Sequence, residues 1–320
     1  MLSSNASFSS INSIRTRTSS ASSDAVPERK SDYDYFFYRN LWWDKGEFSE
    51  KAKWEEVTLP YVLAKGIAID DYEERVEKFN IHRCWEWLNG EVLIYELPSM
   101  PHEICISAIV KQINRQCGNA DGTDAEILGT GSTRTRDINR GKEADASFRP
   151  KKLANRPWPN LVVEVAYTET LDHAEEALKY WLSPGRAHDC IIVKIDPVPQ
   201  DRAPVRMRAW HYCVSAGRGT RNTVPLVTTF EFGTQDSTGA PLIIAQGQCI
   251  INISLSCLYH DFKQPDSLAP PMDLFAPPVD PLAPPVDPSA SPIQPQTLLP
   301  DPIPLDFFFV QHNIRKAFDY

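Results

Sequence analysis

From Pro159 to Asp196 the chain reads PNLVVEVAYTETLDHAEEALKYWLSPGRAHDCIIVKID. Leu161, Val163 and Val165 alternate with Val162, Glu164 and Ala166, so both faces of this strand are apolar except at Glu164. A strand of that kind is central, with cover on each side. Leu171, Ala174, Leu178 and Trp181 then recur at helical spacing, with Asp172, Glu175, Glu176 and Lys179 on the opposite face. Pro184-Gly185 ends the helix, and DCIIVKID is a second strand, parallel to the first across the crossover.

Upstream, IAIDDYEERVEKF predicts a helix, and Asn89-Gly90 between CWEWL and EVLIYEL predicts an antiparallel hairpin. Pro101 to Cys117 is helical, with Pro in the first turn and Ile106, Ile109 and Ile113 on one buried stripe. ADASF, around Asp145, is a short strand. The aromatic-dense YDYFFYRNLWWDKGEF packs onto a core rather than serving as a base-stacking platform. PVRMRAWHYCV, NTVPLVTTFEFG and PLIIAQGQCIINISLSCLY are β-rich.

Composition changes this picture mainly at the ends. Residues 1–30 are Ser-rich, with Arg15 and Arg17 and no acid before Asp24, and they form a disordered tail; thin apolar content argues against a mitochondrial transit peptide. Residues 262–305 are Pro-dense and carry an imperfect A-P-P-[MV]-D repeat, which favours an extended linker or a ligand for a Pro-binding protein module. Residues 306–320 are apolar and helix-capable, either folded back or free as a docking motif. One domain of residues 31–261 remains; 320 residues allow one or two domains, and 42% apolar content is enough for a core. Seven dispersed cysteines without a C-x-x-C pair indicate reduced thiols and an intracellular location, nuclear or cytoplasmic. No apolar run approaches the roughly 20 residues of a membrane span.

The chemistry centres on acids. Glu164 replaces an apolar residue on a central strand, so it needs an ion pair, a hydrogen bond or a cation. Glu103, in a first helical turn, complements the helix dipole at the least. Asp145 comes onto the strand beside Glu164 if the short strand pairs with the central one. Two adjacent carboxylates then require a proton or a cation between them, and Mg²⁺ (or Mn²⁺) takes one or two carboxylates with water and phosphate oxygens. The net charge is −9, yet residues 134–156 carry eight basic residues against three acids. Arg134, Arg136, Arg140, Lys142, Arg149, Lys151 and Lys152 are the candidate phosphate-facing groups, a solvated loop being the plainer reading. Arg202, Arg206, Arg208, Arg218 and Arg221 form a second basic region.

GSTRTRDINRGKEADASFRP followed by PNLVVEVAYTETL and ALKYWL resembles the PD-(D/E)XK nuclease superfamily, and within it the Uma2-like branch and its fungal, restriction-endonuclease-like relatives. The resemblance runs from about Trp85 to Asp196, with a weaker match to Tyr259. It implies an α/β fold, a restriction-endonuclease-like mixed β-sheet flanked by helices. It also implies that Glu103, Asp145 and Glu164 are metal ligands, with DNA as substrate. The Lys that should stand two residues after the Glu is replaced by Ala166. Lys179 on the following helix is the substitute catalytic cation, and Lys142 another donor. Two functions follow: a Mg²⁺-dependent endonuclease, or a nuclease-like scaffold that binds nucleic acid or protein without cleaving. No G-x-S-x-G elbow or P-loop supports another enzyme class.

Overall fold

A computed structural model describes residues 32–81, 83–131, 134–152, 157–199, 202–216, 225–260 and 299–319. The first described elements are helix α1 (Asp32–Lys45), strand β1 (Tyr61–Lys65), helix α2 (Ile69–Phe79) and a hairpin of β2 (Glu86–Leu88) and β3 (Glu91–Ile94). Asn89 and Gly90 turn that hairpin with φ of 49° and 86°, the left-handed region that Asn and Gly tolerate best. Helix α3 (Met100–Cys117) precedes β4 (Ile127–Gly129), β5 (Arg134–Arg136), β6 (Arg140–Glu143) and β7 (Ala146–Pro150). The central unit is β8 (Leu161–Ala166), α4 (Leu171–Trp181) and β9 (Asp189–Ile195). After it come β10 (Met207–Cys213), β11 (Leu226–Glu231), β12 (Ile250–Ile253) and α5 (Leu255–Leu258). Strand β13 (Ile303–Asp306) and helix α6 (Phe307–Lys316) complete the fold.

The architecture is mixed α/β, with sheets flanked by helices. One sheet has the order β11-β10-β9-β8-β7-β4, a second the order β1-β3-β2-β6-β5, and β12 pairs with β13 alone. β8 and β9 are parallel, as a strand–helix–strand crossover requires, and the other described pairs are antiparallel. Every residue of β8 and β9 is buried. Val163 and Val165 face a core shared with α3, β13 and α6, while Val162 and Ala166 face α4 through Ala174, Ala177 and Trp181. Thr170 caps α4 by accepting from the His173 N–H at 3.3 Å. A third core lies around the second sheet, where Trp42 of α1 packs edge to face against Trp54 and Trp85, and Tyr72 and Val76 of α2 join them. The aromatic segment is therefore core, although Phe36 and Phe37 remain exposed.

The C-terminal part differs from the sequence expectation. PLIIAQGQCIINISLSCLY is not sheet throughout: Ile250–Ile253 is strand and Leu255–Leu258 a short helix. Ile303–Asp306, expected to be linker up to 305, is β13 and pairs with β12. α6 folds back, burying Phe307, Val310 and Ile314. Gln311 locks it by donating to the carbonyls of Phe232 at 2.8 Å and Gly233 at 2.7 Å. The Ser-rich tail and the A-P-P-x-D tract lie outside the described residues. Among the described residues no helix is long and apolar enough to cross a membrane.

Candidate active site

The antiparallel pairing Ala146↔Val163 sets the geometry. Continued by one residue, it brings Asp145, just before β7, opposite Glu164. Both carboxylates line one small enclosed cavity of about 20 Å³, together with Arg83, Cys84, Glu86, Tyr95, Glu96, Lys142, Glu143 and Glu169. Asp145 accepts from the Val165 N–H at 2.7 Å and lies 3.4 Å from Nε2 of His102 on α3. Glu164 accepts from the indole N–H of Trp181 on α4. Its other oxygen is 3.9 Å from the Lys142 ammonium, which also donates to Glu86 at 3.3 Å. Arg140 and His173 complete the shell of Glu86.

The two acids titrate in opposite directions. Burial pushes the Glu164 carboxyl up to about 8; Asp145 and Glu169 add to the shift, and Lys142 and the Trp181 indole oppose it. Burial would also raise Asp145, but His102, the Val165 N–H and Arg83 override it and hold the carboxyl below the usual range. His102 is itself pushed up to about 10: burial works against the charge, and Asp145 and Glu103 outweigh it. Glu86 is lowered despite its burial, by Lys142, Arg140 and His173. Lys142 is raised against its own desolvation, by Glu164 and Glu86. The surroundings of the pair thus favour the charged form of Asp145 and the neutral form of Glu164.

Each sequence candidate now has a place. Glu103 stands at the rim rather than in the cavity, half exposed, bound to Arg83 at 3.0 Å and His102 at 3.1 Å. Among the described residues Glu103, Asp145 and Glu164 are not within mutual ligating distance as a trio; Asp189, Cys213 and Cys257 are. Lys179 does not reach the site. It is exposed on the outer face of α4, and Lys142 supplies the cation beside Glu164 instead.

The basic run is extensively ion-paired. Arg134 pairs with Glu143 at 2.9 Å, Arg136 with Glu73 at 3.0 Å, and Arg140 with Glu86. Lys151 and Lys152 bind Glu126 and Asp124, each at 2.6 Å. Arg149 lies within β7. Six of the seven candidates, Lys142 included, thus have acidic partners, Glu143 within the run and Glu73, Glu86, Glu126 and Asp124 outside it. Arg206 and Arg208 likewise share Asp196, at 3.0 and 3.3 Å.

Sequence reasoning missed His102, Arg83, Glu86, Glu96 and Glu169. Glu86 carried a signal of the same kind as Glu164, an acid between Trp85 and Trp87 in a hairpin strand. Glu96 had none: it acts as a clamp, accepting the N–H groups of Tyr167, Thr168 and Glu169 at 2.8, 3.0 and 3.0 Å. Arg83 links the cavity to the surface, because it lines both this cavity and an open groove of about 720 Å³ along α3 with Glu103, Lys111 and Arg115.

No family model matches the chain, and no curated protein matches it in sequence. A crystal structure of a DUF820 protein from Anabaena variabilis, described as a candidate nuclease, is similar in part. The TM-score is 0.33, at 13% identity over 47% of this chain and 76% of that one. That likeness is too distant to assign residue roles, which rest on the geometry of the cavity itself.

Proposed function

We propose that the cavity beneath β6, β7 and β8 is the divalent-cation site of a phosphodiester hydrolase acting on DNA. The observation that supports this reading is the Asp145–Glu164 pair, two carboxylates on adjacent strands lining one small cavity. Adjacent buried acids need a proton or a cation between them. Oxygen donors suit Mg²⁺ or Mn²⁺, and about 20 Å³ accommodates one ion or water. When bound, such an ion would lower the pKa of a ligated water and offset charge on a phosphoryl oxygen.

The protein's own groups supply the rest. The Val165 N–H and His102 fix Asp145, and the Trp181 indole fixes one oxygen of Glu164. Lys142 takes the charge-neutralising role expected of Lys179. Arg83, held by Glu103 at the mouth, is placed to meet a phosphate arriving along the α3 groove. Glu103 serves this reading as the residue that positions Arg83. The cavity is too small for a phosphate, so the backbone would be engaged at its mouth.

The test is nicking of supercoiled plasmid with Mg²⁺ and with Mn²⁺. Asp145→Asn, Glu164→Gln and Lys142→Met should each slow the reaction by about 10² or more. Equal rates in wild type and all three variants would end the proposal. A second reading, a non-cleaving scaffold, is supported by Ala166, which stands two residues after Glu164 where a PD-(D/E)XK nuclease carries its Lys. Salt-sensitive retention on DNA with no cleavage under either metal would select it.

A further inference from the structure

We propose that Asp189, Cys213 and Cys257 form a second cation site, suited to a thiophilic ion of the zinc class and separate from the acidic cavity. Asp189 opens β9 and Cys213 closes β10, and the antiparallel register sets these two residues opposite each other. Cys257 comes from α5. One ligand atom from each residue lies within 4.8 Å of the other two, and all three residues are buried. Two sulfurs and one carboxylate oxygen make a borderline-soft donor set, which favours Zn²⁺ over the Mg²⁺ that an all-oxygen site would take.

A second observation points to a ligand. Asp189 has no exposed surface, yet its Oδ2 has no hydrogen-bond partner. Such an atom carries a desolvation cost that a cation would remove. The other oxygen, Oδ1, lies 3.1 Å from Nε2 of His211, the carboxylate–imidazole contact that orients a ligating group from behind. The three protein ligands leave the fourth tetrahedral position to water.

The two Sγ atoms are 2.9 Å apart, so they are not bonded, since a disulfide would need about 2.05 Å. Tetrahedral ligation with Zn–S bonds of about 2.3 Å sets the sulfurs about 3.8 Å apart, so the pair would open slightly as the ion enters. Both thiol protons would leave on binding. A disulfide would consume the sulfurs but leave Asp189 Oδ2 as it is, which is why the metal is preferred. The ion would tie α5 to the start of β9 and the end of β10.

The experiment uses the full chain, kept reduced, titrated with Co²⁺ and then displaced with Zn²⁺. One equivalent of Co²⁺ should produce a thiolate-to-cobalt charge-transfer band with tetrahedral d–d absorption. Cys257→Ser and Cys213→Ser should abolish that band, and Asp189→Asn should weaken Co²⁺ binding at least tenfold. Asp145→Asn should leave the band unchanged, which separates the two sites. Zn²⁺ should raise Tm in wild type and not in Cys257→Ser. A reduced wild-type protein with no thiolate–cobalt band overturns the proposal. So does a Cys213–Cys257 disulfide whose reduction yields a protein that still binds no Co²⁺ through sulfur. If a cysteine variant fails to fold, the wild-type spectrum and Asp189→Asn decide.

Discussion

Two carboxylates are buried on neighbouring parallel strands, and the protein treats them differently. Glu164 lies level with Ile192 in the second half of β8, and Asp189 lies level with Leu161 at the start of β9. Around Glu164 the environment is hard and crowded: Asp145, Glu86 and Glu169, with Lys142 and the Trp181 indole. Around Asp189 it is soft and sparse: two thiols and one imidazole. Burial costs a carboxylate its hydration at either end. What differs is the compensation, by cations and a favoured neutral form at one end, and by a single imidazole contact at the other. On the two proposals above, that difference sets which ion each end would suit.

The comparison breaks most sharply at Lys142. Lys142→Met leaves Glu86 and Glu164 without their shared ammonium, so urea unfolding should show a loss of about 3–5 kcal/mol. Combining it with Glu86→Gln, which removes the carboxylate left unpaired, should restore part of that loss. An unchanged midpoint would mean that the acidic end does not depend on its internal cation.

Protonation sharpens the contrast next. The Glu164 pKa is raised above its unfolded value, so its stabilising contribution is complete below the ordinary carboxylate range and is lost as pH rises toward about 8. Asp145 and Glu86 are lowered, so theirs is lost as pH falls below that range. Without metal, stability should decline between about pH 5 and 8 by on the order of a few kcal/mol, and Glu164→Gln should flatten that limb. Mn²⁺ affinity should rise up to about tenfold per pH unit over the same window, because the ion must displace the Glu164 proton. Calorimetric titration at several pH values reads this directly, and a pH-independent affinity would count against the site.

Trp181→Phe keeps most of the packing and removes the N–H that holds Glu164. A loss of about 1–3 kcal/mol is expected in urea, with metal uptake moved to higher pH. The smallest effect belongs to Arg136, whose pairs with Asp70 and Glu73 lie at the surface. Arg136→Ala should change stability by less than about 1 kcal/mol, and less still in high salt. A loss as large as that of Lys142→Met would show that burial is not what separates the two kinds of ion pair.

Glu164 was legible because it interrupts an apolar strand, and α4 because its stripe repeats at helical spacing. Lys179 shows where such reading stops. Its helical phase already set it on the polar face, and proximity in sequence to the β8 acid did not turn it inward. Lys142 looked like one member of a basic run, but β6 enters the sheet beside β2 and carries it to Glu86. Glu86 and Glu96 receive their roles from partners on other strands and loops, and nothing in their neighbouring residues names those partners.

The sequence by itself determined the β8–α4–β9 unit, the Asn89-Gly90 hairpin and the helix α3, because periodicity and turn chemistry act over a few residues. Only the tertiary structure decided that Asp145 meets His102, that β13 pairs with β12, and that Asp189 faces Cys213 and Cys257. Those contacts join segments far apart in the chain. Their geometry is set by how the sheets and helices pack, which no local pattern records.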